Sequence, residues 1–189
     1  MKTLEEYVYA GLTDTILDKN HRELGKILAV PNEYYQRDWI SENTNIGEVY
    51  KRTSIDDPNE SGYDLITATG LKIQSKYRSG SLHLETTRRN SKKNAGTASS
   101  TGHVKYSAGE ADVYTFTIPK GITTKERNQN KDLFAEDLVN NSQILAIPEW
   151  ELLDPKNLGY LVPRVPVALI KKYAGKAKET LEKAASDKK

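Results

Sequence analysis

Apolar side chains recur near helical spacing at the start of the chain, where Leu4, Tyr7, Val8, Leu12 and Ile16 predict a helix over 3–17. The Tyr- and Trp-rich segment Glu33–Arg52 reads as largely helical too and ends before the turn-forming run Asp56-Asp57-Pro58-Asn59. Beyond it the pattern changes to strands. Tyr63–Thr67 is bounded by Gly62 and the turn Ala68-Thr69-Gly70, and Leu71–Tyr77 alternates apolar with polar side chains, so the two form a hairpin. Leu82–Thr86 is a third candidate strand. The polar run Arg88–Gly102 is too polar for a core and unusually long for a plain connection.

Order returns at Ala111–Ile118, a buried strand stopped by Pro119, and at Gln143–Ile147, a strand stopped by Pro148. Glu149–Leu153 reads as a short helical turn. Pro166 opens a final amphipathic helix over 166–183, with Val167, Leu169, Ile170, Tyr173, Ala177 and Leu181 on its apolar face. This order predicts a single α/β domain over 1–189, with a central mixed β-sheet flanked by helices. Within it lie an N-terminal helical part (1–40), a core from 41 to 147 and the C-terminal helix.

Composition narrows the class. With 189 residues, 37% hydrophobic and 29% charged, the chain suits one soluble globular domain. It has no cysteine, which excludes disulfides, thiol nucleophiles and cysteine-based metal sites. Glu5 and Glu6 stand where a signal peptide needs apolar residues, and no apolar run approaches the ~20 residues of a membrane span. A cytoplasmic location is expected.

Charge changes the picture more. From Leu71 to Lys105, Lys72, Lys76, Arg78, Arg88, Arg89, Lys92, Lys93 and Lys105 oppose Glu85 alone, although the whole chain is only +2. A local positive field on an otherwise acidic body is the footprint of a polyanion-binding face. The same stretch interleaves Asn90, Asn94, Ser99, Ser100, Thr101 and His103. Arg pairs with guanine and Asn with adenine, so Arg88, Arg89, Asn90 and Asn94 are candidate base readers. Lys92, Lys93 and Lys105 are candidate phosphate contacts, with Arg78 on the same basic stretch. The recognition segment is 88–103. A solvated surface loop is the plain alternative.

The hairpin carries the candidate chemistry. Asp64 opens its first strand, and Gln74 and Lys76, two residues apart, share one face of the second. A carboxylate and an amide oxygen are hard ligands suited to Mg²⁺, and Lys76 adds a positive charge near an attacking water. A solvent-facing polar strand would produce the same triplet. His21, His83 and His103 are far apart in sequence, and no GxSxG, P-loop or GxGxxG motif occurs. Asp112 reads as structural.

Asp64-x9-Gln74-Ser75-Lys76 on a hairpin, preceded by Gly47-Glu48-Val49-Tyr50 read as helical, resembles the PD-(D/E)XK nuclease superfamily, which includes many type II restriction endonucleases. The resemblance implies a core of helix, three-stranded meander, helix and strand. It makes Asp64 the metal-binding aspartate, Gln74 the occupant of the (D/E) position, Lys76 the catalytic lysine and the Ser75 carbonyl a metal ligand. Gln74 in place of an acid, as in the Mrr-like branch, leaves the metal shell one charge short. Glu48 is then the expected helix carboxylate, with Glu60 and Glu85 as competitors. The implied activity is Mg²⁺-dependent hydrolysis of double-stranded DNA by a homodimer reading a two-fold target. Two rivals stand beside it: a non-catalytic nucleic-acid-binding module on the same fold, and an interaction protein whose basic loop binds an acidic partner.

Overall fold

The computed structural model describes residues 3, 4, 6, 7, 21–52, 63–77, 111–119, 142–152, 165 and 167–188. Helix α1 (His21–Asn43) leads into strand β1 (Val49–Lys51), followed by β2 (Leu65–Thr67) and β3 (Lys72–Tyr77). Strands β4 (Val113–Pro119) and β5 (Ser142–Pro148) come next, then the short helix α2 (Glu149–Leu152) and helices α3 (Val167–Tyr173) and α4 (Ala177–Ser186). The strands form one five-stranded sheet in sequence order. All neighbours are antiparallel except β3 and β4, which are parallel, so the sheet is mixed.

The helical reading of Glu33–Arg52 holds only to Asn43. The Thr44 hydroxyl takes the Ile40 carbonyl at 2.7 Å, and Gly47 turns the chain with φ of +87°. Val49, Tyr50 and Lys51 then pair with Thr67, Ile66 and Leu65. The expected hairpin forms as β2 and β3. Its turn is closed by Thr67, which accepts from Gly70 N and Leu71 N, and by Gly70 at φ of +85°. The single C-terminal helix is in fact two, α3 and α4, because Gly175 reverses the backbone at φ of +73°. The first expected helix lies mostly outside the described residues, and the candidate strand Leu82–Thr86 does so entirely.

Strand alternation sorts the core into two layers. On one face Val49, Leu65, Ile73, Val113, Ile144 and Ala146 meet Tyr35 and Ile40 of α1 and Ala177, Leu181 and Ala185 of α4. On the other, Tyr114, Phe116, Ile118, Leu145 and Ile147 pack against Leu152, Val165 and Leu169. Parallel neighbours require a crossover connection. The chain linking β3 to β4 therefore includes the whole candidate recognition segment. Among the described residues no helix is long and apolar enough to cross a membrane.

Candidate active site

The hairpin brings Asp64 and Gln74 together. Leu65 pairs with Ile73, and Asp64, the residue before β2, donates its N–H to the same Ile73 carbonyl at 2.9 Å, which keeps it against β3 next to Gln74. The Asp64 carboxylate then accepts from Gln74 Nε2 at 2.7 Å and from Ser75 N at 2.8 Å. It thus sits just before β2 begins, held by the strand that carries Lys76. Arg52 N anchors the other side of this residue by donating to Asp64 O at 2.8 Å.

Backbone groups along a strand point alternately to its two neighbours. Lys72 O accepts from Asp112 N on the β4 side, whereas Ile73 O accepts from Asp64 N on the β2 side. Ser75, two residues on from Ile73, directs its backbone to the β2 side as well. Its carbonyl therefore lies along the same margin of the strand as the Asp64 carboxylate.

Electrostatics add a residue that the motif did not name. Burial pushes the Asp64 carboxyl above the ordinary range, opposed by the Ser75 N–H and by the charges of Lys76, Arg52 and Lys51. Burial likewise raises Glu33, on α1, and the Asp64 charge raises it further, opposed by the hydrogen bond and charge of Lys51 and by Lys76. Glu33 pairs with Lys51 Nζ at 2.9 Å. The helix carboxylate in the field of Asp64 and Lys76 is therefore Glu33. Glu48 is on no helix. It is exposed ahead of β1 and accepts from the Tyr50 hydroxyl at 2.6 Å.

Glu33 falls inside a segment already read as helical, and one signal for it was available. Asn32, Glu33 and Gln36 form a polar stripe beside Tyr35 and Ile40, the buried apolar residues described on this helix. Lys51 gave no such signal, because only the register of β1 on β2 carries it to Glu33.

The donors suit a hard divalent cation. Asp64 and Glu33 offer carboxylate oxygens, Gln74 an amide oxygen when its side chain turns, and Ser75 a carbonyl. Both acids are partly desolvated anions for which a cation would be a better partner than water. Among the described residues no three His, Cys, Asp or Glu gather; the residues in contact are Asp64, Gln74 and Ser75, and Glu33 joins them through the field of Asp64. Asp112 stands apart at the far end of β3, where it accepts from Lys72 N at 2.8 Å and pairs with Lys188 Nζ at 2.9 Å. Its role is structural.

Glu60, Glu85, Arg78, Arg88, Arg89, Asn90, Lys92, Lys93, Asn94, Ser99, Ser100, Thr101, His103 and Lys105 lie outside the described residues. Comparison with protein-family models, with curated proteins and with solved structures finds no match, so geometry and chemistry alone bear on function.

Proposed function

We propose that the protein is a Mg²⁺-dependent endonuclease that hydrolyses phosphodiester bonds of double-stranded DNA, of the type II restriction kind. The observation that carries the reading is the Asp64 carboxylate bonded to Gln74 and to Ser75 N, within the field of Lys76 and Glu33. A helix followed by a three-stranded antiparallel meander, with this triplet on its second hairpin, supports the reading as the order with which the implied core begins.

In this reading Asp64 and Glu33 hold the metal, with the Gln74 amide and the Ser75 carbonyl as neutral ligands. When bound, the ion supplies Lewis-acid charge at the phosphate and acidifies a water for attack. Lys76 places a fixed ammonium where negative charge grows on the phosphoryl oxygens, a stabilisation that needs no reorganisation at the moment of reaction. Lys51 holds Glu33 in place. The basic segment 88–103, inserted between β3 and β4, grips the duplex, and a homodimer matches the two-fold symmetry of a palindromic target.

The test is incubation of the purified protein with plasmid DNA and Mg²⁺, followed by sequencing of the ends. Cleavage that stops with chelator and in Asp64→Ala supports the reading. Intact plasmid across a range of sequences and divalent ions refutes it.

A further inference from the structure

Two buried amides tie the helix that carries Glu33 to the strand that carries Lys76. Asn32 and Gln36 are four residues apart on α1 and so share a face; they are 1% and 0% exposed. Asn32 Nδ2 donates to Ser75 Oγ at 3.0 Å. Gln36 Nε2 donates to the Lys76 carbonyl at 3.0 Å and to Thr117 Oγ1 at 2.9 Å, while its Oε1 accepts from Thr115 Oγ1 at 2.5 Å. One side chain thereby spans α1, β3 and β4.

Fold stability does not call for this arrangement. Tyr35, Ile40, Ile73, Val113 and Ile144 lie in the same layer, and apolar side chains in place of the amides and of their partners Ser75, Thr115 and Thr117 would bury without hydrogen bonds. Among the described residues Asn32 Oδ1 has no hydrogen-bond partner, and an orphaned buried acceptor costs about 1–3 kcal/mol. What the amides do provide is register. They grip Ser75 and the Lys76 backbone, and Glu33 is the residue after Asn32.

We infer that Asn32 and Gln36 are positioning residues, a buried strut that fixes α1 against β3 and so sets Glu33 relative to Asp64 and Lys76. The inference rests on the nuclease reading above. A helix that slips by one residue moves its side chains by 1.5 Å, and a misplacement of about 1 Å can lower a rate ~100-fold.

The test removes each strut together with its side-chain partners, so that no side-chain polar group is stranded: Gln36→Leu/Thr115→Val/Thr117→Val in one variant and Asn32→Leu/Ser75→Ala in the other. Apolar replacement of both partners is close to neutral for folding, so cooperative unfolding near the wild-type Tm is expected. With Mg²⁺ and a duplex that the wild type cuts, kcat should fall ~10–100-fold in the first variant and less in the second. KM for DNA should stay within about twofold, because the strut does not touch the duplex. A kcat within twofold of wild type in both variants overturns the inference. So does a fall in kcat that tracks a rise in KM or a loss of folded protein, which is the mark of a purely structural role. A wild type that cuts no duplex, with Mn²⁺ binding absent by calorimetry, is a different result: it refutes the nuclease reading and the strut's meaning with it.

Discussion

The two halves of the sheet are built on opposite principles. In β4 and β5, Val113, Tyr114, Phe116, Ile118, Ile144, Leu145, Ala146 and Ile147 are buried, and helices cover both faces. In the other half β1 and β2 are short, and Asp64, Gln74, Ser75 and Lys76 crowd the end of one hairpin, with the Asp64 carboxyl raised and that of Glu33 raised in its field. The first half is a framework whose burial favours the fold. The second holds desolvated charge that the fold tolerates. Perturbed carboxylates of this kind mark candidate functional sites, and the proposed chemistry is placed on this half for that reason.

Phe116→Ala should sharpen the contrast most. Phe116 is fully buried and stacks on Tyr114 with ring centroids 6.3 Å apart, so its truncation should destabilise by about 3–5 kcal/mol. Denaturant unfolding measures it, and a loss below ~1 kcal/mol would mean the framework half is not the stabilising one. Lys76→Ala should leave the unfolding transition almost unmoved yet lower kcat by ~10²–10³-fold. Single-turnover cleavage on a duplex that the wild type cuts measures this, and retained activity breaks the comparison at its centre.

Asp64→Asn separates stability from function most directly. The amide keeps an oxygen to accept from Gln74 and Ser75 but removes a buried charge, so Tm should rise by ~2–4 °C, about 1 kcal/mol, while cleavage is lost. The sign carries a pH signature. Burial holds the Asp64 and Glu33 carboxyls above their ordinary values, so the stabilisation they contribute is complete below about pH 4 and lost as pH rises through the raised values. The Tm advantage of Asp64→Asn should therefore be absent near pH 4 and grow toward pH 7, and Mg²⁺ should close it by stabilising the wild type. Scanning calorimetry across that range checks both statements. The smallest effect separates two carboxylates: Glu33→Gln should lower kcat ~10-fold or more, whereas Glu48→Gln, exposed and bonded to Tyr50, should leave it within about twofold.

Local patterning made much of the framework legible. The apolar runs at Ala111–Ile118 and Gln143–Ile147 are β4 and β5, the Thr69-Gly70 turn is the hairpin reversal, and the proline after each run marks where pairing stops. These features follow from neighbours along the chain, whose preferences need no distant partner. The helix through Val49 failed for the converse reason. Tyr50 and Lys51 have no strong local bias, and pairing with β2 decided their state.

The same division runs through the site. The contact of Asp64 with Gln74 was legible because a hairpin converts sequence spacing into cross-strand distance through one tight turn. Glu33 and Lys51 were not, because no spacing rule relates a helix to strands whose order it precedes; their meeting is a product of packing. The sequence alone determined the local alphabet here: alternation, turn glycines, the charged triplet and the absence of thiols. Tertiary structure alone decided which helix carboxylate lies in the field of Asp64 and which amides lock the helix in place. Those choices depend on how two surfaces interlock across the core, and contacts between residues distant in sequence are chosen by mutual burial.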